Sequence, residues 1–267
     1  MKFVFSLILI FYSLASSAES VLCETLHLRS LPAYSEQAKD LQEIIRNSGR
    51  SGQETKTFGV ARTIVEYIGN FGPEFKKRFE KLTSEEVLLD GGCGDCHLSD
   101  ALVDSGKGKY VGITFELVNR TLSFFENRIL KGTVKLFTGR FFENIATKEL
   151  KSFGSVKIIA DLYGIMSYTE RPDLTLKRYL DLLDKDGAIF IFGPSVHVGN
   201  DYSFFIYLRK VKGIQLKTAG NMRGETSYII TRTSEPVQIP EIEYSHAQKG
   251  VPPHRFYQYT GNFLTSY

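Results

Sequence analysis

The stretch Val87-Leu88-Leu89-Asp90-Gly91-Gly92-Cys93-Gly94-Asp95-Cys96 constrains this 267-residue chain more than any other. A short apolar run reaches an acid and then meets three glycines within four positions. That pattern reads as a buried strand ending at Asp90, followed by a sharp turn. Beyond the turn, His97 to Val103 carry Leu98, Ala101 and Leu102 at helical spacing. Glycine lets a backbone approach a ligand or another backbone closely, and a helix start offers N–H groups without intrahelical partners. Strand, glycine turn and helix in that order make a nucleotide-binding corner. The dinucleotide form G-x-G-x-x-G is excluded, because its third glycine would fall at His97.

What remains, Asp90-x-Gly92-x-Gly94, resembles motif I of the class I S-adenosylmethionine-dependent methyltransferases, D/E-x-G-x-G-x-G, with Cys96 in place of the last glycine. The following segments extend the resemblance. Lys109–Thr114 reads as a second strand, and Leu117–Leu130 as a helix closed by Gly132. Val134–Phe137 is a third strand, and Val156–Ala160 a fourth that ends at Asp161. A helix starts at Pro172, a natural first helical residue, and runs to Leu183. Leu183–Ile191 is similar to the family's helix-to-strand turn before the fifth strand. Strands alternating with helices call for a parallel sheet covered on both faces. The expected fold is therefore α/β: a doubly wound, mostly parallel seven-stranded sheet, class I methyltransferase-like, with a helical N-terminal extension. The resemblance spans residues 86–192 and continues more weakly to 231.

The resemblance implies a role for each motif residue. Asp90 would hold the ammonium of the cofactor's amino-acid arm, directly or through water, while Gly92 and Gly94 let the chain pass beneath. The ribose acid expected after the second strand is replaced by Thr114, with Glu116 two residues on. Glu116 has two readings, ribose acceptor or helix cap. After the third strand the family's Gly-Asp becomes Gly139-Arg140, and arginine has only donors. Phe141 or Phe142 would then pack on the adenine, or simply fill core. Asp161 stands at the fourth strand's end, the rim where open α/β sheets bind ligands. Methyl transfer needs mainly positioning, and a base only for a protonated acceptor. Candidates for that base are Asp161, Tyr163, Tyr168 and His197; each also has a plain structural reading.

Cys93 and Cys96 form a C-x-x-C beside a helix start. They read as ordinary loop cysteines, as a disulfide, or as a redox pair. No metal is expected, since no second ligand pair completes four. At the N-terminus Lys2, an apolar run from Phe3 to Leu14 and Ala15-Ser16-Ser17-Ala18 have the three regions of a secretory signal peptide. Leu22 before Cys23 does not suit a lipoprotein signal, and no stable membrane anchor is expected after cleavage. The expected divisions are a signal peptide at 1–18, a helical extension or cover at 19–84, a cofactor-binding domain at 85–232 and a proline- and aromatic-rich tail at 233–267, packed on the body without regular structure. Within the extension, Leu41, Ile44, Ile45, Val60, Ile64, Val65 and Ile68 are spaced for helices.

A net charge of +3 is too weak to argue for a nucleic-acid partner, so none is expected, and 42% hydrophobic content fits a globular chain. The leading expectation is S-adenosylmethionine-dependent methyl transfer to a small-molecule acceptor. The alternative is an exported binding protein that keeps the fold without the reaction, because the cofactor is cytoplasmic and the signal directs export to the periplasm or beyond. A start codon further downstream would leave the chain in the cytoplasm. The pattern specifies no oligomeric state.

Overall fold

The computed structural model describes residues 62–114, 117, 120–138, 142–199, 203–220, 226–248 and 254–266. The expected signal segment, Cys23, the helical reading of residues 33–61, Glu116, Arg140 and Phe141 lie outside them.

Strand β1 (Glu86–Gly91) is buried at every position after the first, which is why its sequence is a continuous apolar run instead of an alternating one. It lies between parallel neighbours β2 (Lys109–Thr114) and β4 (Ser155–Leu162). Outward from these come β3 (Val134–Thr138) and β5 (Leu183–Phe192), both parallel. The far edge is antiparallel, built by β8 (Thr226–Arg232) and β7 (Ile214–Gly220). The seven-strand order is β3-β2-β1-β4-β5-β8-β7. This is the doubly wound, mostly parallel sheet of the class I methyltransferase fold.

Alternate residues of one strand feed opposite faces of the sheet. Val87 and Leu89 of β1, with Ile189 and Ile191 of β5, enter one buried cluster; Leu88 and Phe190 enter the other. On the Leu88 face lie α1 (Ile64–Phe71) and α2 (Pro73–Glu80), the latter opened by a proline at its first turn. Between them Gly72 takes φ 79°, a turn that a side chain would resist. The Glu66 carboxylate accepts the Thr63 backbone N–H at 2.7 Å and satisfies the start of α1. The buried stripe is Tyr67, Phe71, Phe75 and Phe79, one aromatic every fourth residue, packed on Phe190. Of the residues the sequence spaces for this helix, Ile64 and Ile68 pack against the same cluster, while Val65 is 73% exposed. The same face receives α3 (Leu98–Asp104) and α4 (Leu122–Leu130). Asp100 of α3 accepts from Arg120 and Arg128 (2.6 and 2.5 Å), which ties the two helices together.

On the opposite face lie α5 (Thr147–Lys151), α6 (Ile165–Tyr168), α7 (Pro172–Leu182) and α8 (Phe204–Arg209). The expected irregular tail is here a second sheet. Strand β9 (Val237–Gln248) pairs antiparallel with β10 (His254–Ser266), which pairs in parallel with β6 (Val196–Val198). Proline did not prevent this. Pro236 precedes β9, and Pro240 sits on an edge strand where the register shifts opposite Tyr259–Phe263. Val237, Ile239, Ile242 and Tyr257 share the core with Leu176, Leu180 and Tyr207.

Candidate active site at the carboxyl ends of β1 and β4

The chain leaves β1 toward β2 and β3 but leaves β4 toward β5, so the strand order reverses between β1 and β4. Such a switch point opens a crevice outside the strands' carboxyl ends. The two turns there touch. A Cβ at Gly92 would collide with the Gly164 backbone, and a Cβ at Gly164 with the Gly91 carbonyl oxygen. Gly92 and Gly94 take φ 95° and 53°, and Cys96 keeps the left-handed conformation (φ 54°) where the motif has its last glycine. The Gly92 and Cys93 amides both donate to the Ile113 carbonyl (2.8 and 3.0 Å), which seats the turn on the end of β2.

Asp90 is completely buried. Tyr67 Oη of α1 donates to both its carboxylate oxygens and Tyr110 Oη of β2 to one, each at 2.7 Å. Burial raises this carboxyl to about 6, opposed by the tyrosine hydrogen bonds and the Arg62 charge. Asp161 is equally buried and caps the turn into α6. It accepts from the Gly164 and Met166 amides (2.9 and 2.8 Å) and from Tyr179 Oη (2.7 Å). Burial raises it to about 6 as well, against those same hydrogen bonds. The phenols of Tyr67, Tyr110 and Tyr179 are pushed well above their usual 10, first by burial and then by the neighbouring carboxylates. Both acids therefore act as enclosed negative charges beneath the turns, with the chain's own donors on their oxygens.

The other expected site residues are placed as follows. Thr114 is buried at the end of β2, paired in register with Thr138. Tyr163 holds φ 48°; its ring lies over Gly193 and meets Phe192 edge-on at 5.0 Å. The Tyr168 phenol, pushed up to about 12 mainly by burial, senses the charges of Arg62 and Arg255. Phe142 is a core residue and offers no ring face to a ligand. It is buried, packs against Tyr179 at 5.1 Å and lies under the Arg178 guanidinium. His197 belongs to the second sheet, stacked on Phe256 at 4.7 Å with Nε2 3.2 Å from His254 Nδ1. Cys93 and Cys96 are buried and disulfide-bonded to each other, so neither sulfur is presented as a reactive thiol.

Four residues at the site were missed in the sequence. Tyr67 and Tyr110 enclose Asp90, Tyr179 holds Asp161, and Arg62 Nη1 donates to the Gly92 carbonyl at 2.6 Å. The four-residue aromatic spacing from Tyr67 to Phe79 was the available signal for the first. Arg62 had none, since nothing local ties it to a turn thirty residues away.

No family model and no curated protein matches the chain. Solved structures do resemble it. An O-methyltransferase family protein from Burkholderia thailandensis is 13% identical, with a TM-score of 0.43 over 84% of this chain and 70% of that one. The N,N-8-amino-8-demethyl-D-riboflavin dimethyltransferase RosA from Streptomyces davawensis is 14% identical, with a TM-score of 0.45 over 74% and 69%. The B. subtilis M1A22 tRNA methyltransferase TrmK is 15% identical, with a TM-score of 0.37 over 60% and 65%. All three are methyltransferases by name. By their names they differ in acceptor, a riboflavin derivative in one and tRNA in another.

Proposed function

We propose that this chain binds S-adenosylmethionine in the β1–β4 crevice and transfers its methyl group to an acceptor. The observation that carries the reading is one charge arrangement at the switch point. Two buried carboxyls end adjacent parallel strands, and a half-buried guanidinium lies on the glycine turn between them. That set fits the cofactor's charges, a sulfonium and an ammonium toward the acids and a carboxylate toward the arginine. When bound, the cofactor supplies an electrophilic methyl on sulfur. The chain's part is to bind, orient and exclude water, which suffices for an in-line displacement. Asp161, held by three donors, orients the turn. The acceptor we favour is a small molecule, and we propose export with a mature N-terminus at Glu19.

One observation favours the rival, a binding protein with the fold alone: the oxygens of both acids are already engaged by the chain's own donors. A thermal-shift titration of residues 19–267 with S-adenosylmethionine and S-adenosylhomocysteine separates the two. Ligand at about a hundred times Kd adds roughly 2.7 kcal/mol, several degrees for a chain of this size. A saturating shift with both is expected. Folded protein that responds to neither would exclude the enzyme.

A further inference from the structure

The residue at this site that the expected motifs leave unexplained is Arg62. It precedes α1, in the segment that packs over the carboxyl end of β1, and is half-buried. Among the described residues, its hydrogen bond is the one from Nη1 to the Gly92 carbonyl, and no carboxylate lies within ion-pair distance. A guanidinium carries five N–H donors in a planar fork that matches a carboxylate two bonds at a time. The Gly92 carbonyl takes one of the five, and the other donors have no partner among the described residues. Arg62 is near enough to Asp90, Asp161 and Tyr168 for its charge to be felt at all three. Those acids, however, are sealed by Tyr67, Tyr110, Tyr179 and the α6 amides. The cation therefore stands at the crevice with its nearest acids enclosed beneath the turns.

We infer that Arg62 is the anchor for the α-carboxylate of the cofactor's amino-acid arm, one edge of its fork on the Gly92 carbonyl and the remaining donors on the ligand. This rests on the reading above, that the crevice binds S-adenosylmethionine. The enclosed acids sharpen the assignment. A free carboxylate near Asp90 and Asp161 would be repelled without a cation between them, whereas the arm's ammonium is attracted. One fixed guanidinium thus sets which end of the zwitterion enters first. It also ties cofactor capture to the N-terminal segment: if that segment lifts from the turn, the anchor leaves with it.

The test compares two ligands that differ by one carboxylate: S-adenosylhomocysteine and its decarboxylated analogue, 5′-deoxy-5′-(3-aminopropylthio)adenosine. Each is titrated calorimetrically into the wild-type protein, Arg62→Met and Arg62→Lys. In the wild type, loss of the carboxylate is expected to weaken binding roughly ten- to a hundredfold. Arg62→Met should weaken S-adenosylhomocysteine by a similar factor and leave the analogue unchanged, while Arg62→Lys restores part of the loss. Equal weakening of both ligands would mean that Arg62 only props the turn and would overturn the assignment. Unchanged binding of S-adenosylhomocysteine by Arg62→Met would overturn it too. If the wild type binds neither ligand, the cofactor reading itself fails and the anchor with it.

Discussion

Asp90 and Asp161 are carboxyls that the fold has taken out of water, and their protons report the cost. Each is raised from 3.8 to about 6 by burial. An acid whose folded pKa is raised binds protons more tightly folded than unfolded. It therefore favours the folded state below about pH 4, and that contribution is lost as pH rises to about 6. A rise of this size corresponds to roughly 3 kcal/mol at most. Asp90→Asn keeps partners for Tyr67 and Tyr110 and removes the charge. We expect the variant to unfold at a higher temperature than the wild type at pH 7.5, with the gap closing by pH 4. A variant less stable at pH 7.5 would show that the carboxylate is not under strain. Because the charge belongs to the proposed cofactor site, the same substitution should weaken S-adenosylhomocysteine binding.

At the scale of elements, β10 holds the site from behind. Arg255 is completely buried and donates to the carbonyls of Met166 (2.6 Å) and Thr169, in and just after α6. It thereby ties the second sheet to the turn that Asp161 caps. Arg255→Ala removes the guanidinium and leaves two carbonyls without that donor, at a cost of about 3–5 kcal/mol. Urea unfolding reads this directly, and an effect below about 1 kcal/mol would refute the tie. The seven-stranded sheet was legible in the sequence because parallel strands buried on both faces must be apolar throughout, as Val87–Leu89 and Ile189–Ile191 are. The second sheet was not. Its prolines read as breakers, and only the pairing puts Pro240 on an edge beside a register shift. Asp90 and the glycines could be named from local spacing. Their enclosure by Tyr67 and Tyr110, and the arrival of Arg62, depend on contacts 20 to 30 residues apart in the chain.

For the molecule as a whole, the two clusters on the faces of one sheet draw in residues from α1 to β10, so the site is assembled from almost every layer of the fold. Its tyrosines make that assembly visible. The chain has 14 tyrosines and no tryptophan, so its near-ultraviolet absorption is dominated by phenols. Exposed phenols ionise near pH 10 and absorb near 295 nm as they do. Tyr67, Tyr110, Tyr179 and Tyr207 are held well above that range by burial. In an alkaline titration they should stay dark while the exposed phenols brighten, and then appear together in one step as the circular dichroism collapses. Early, separate ionisation of those phenols would mean that the buried layers holding them open before the fold as a whole does. The rings that enclose the acids thus act as a built-in optical gauge of whether the site is closed, with no label and no ligand required.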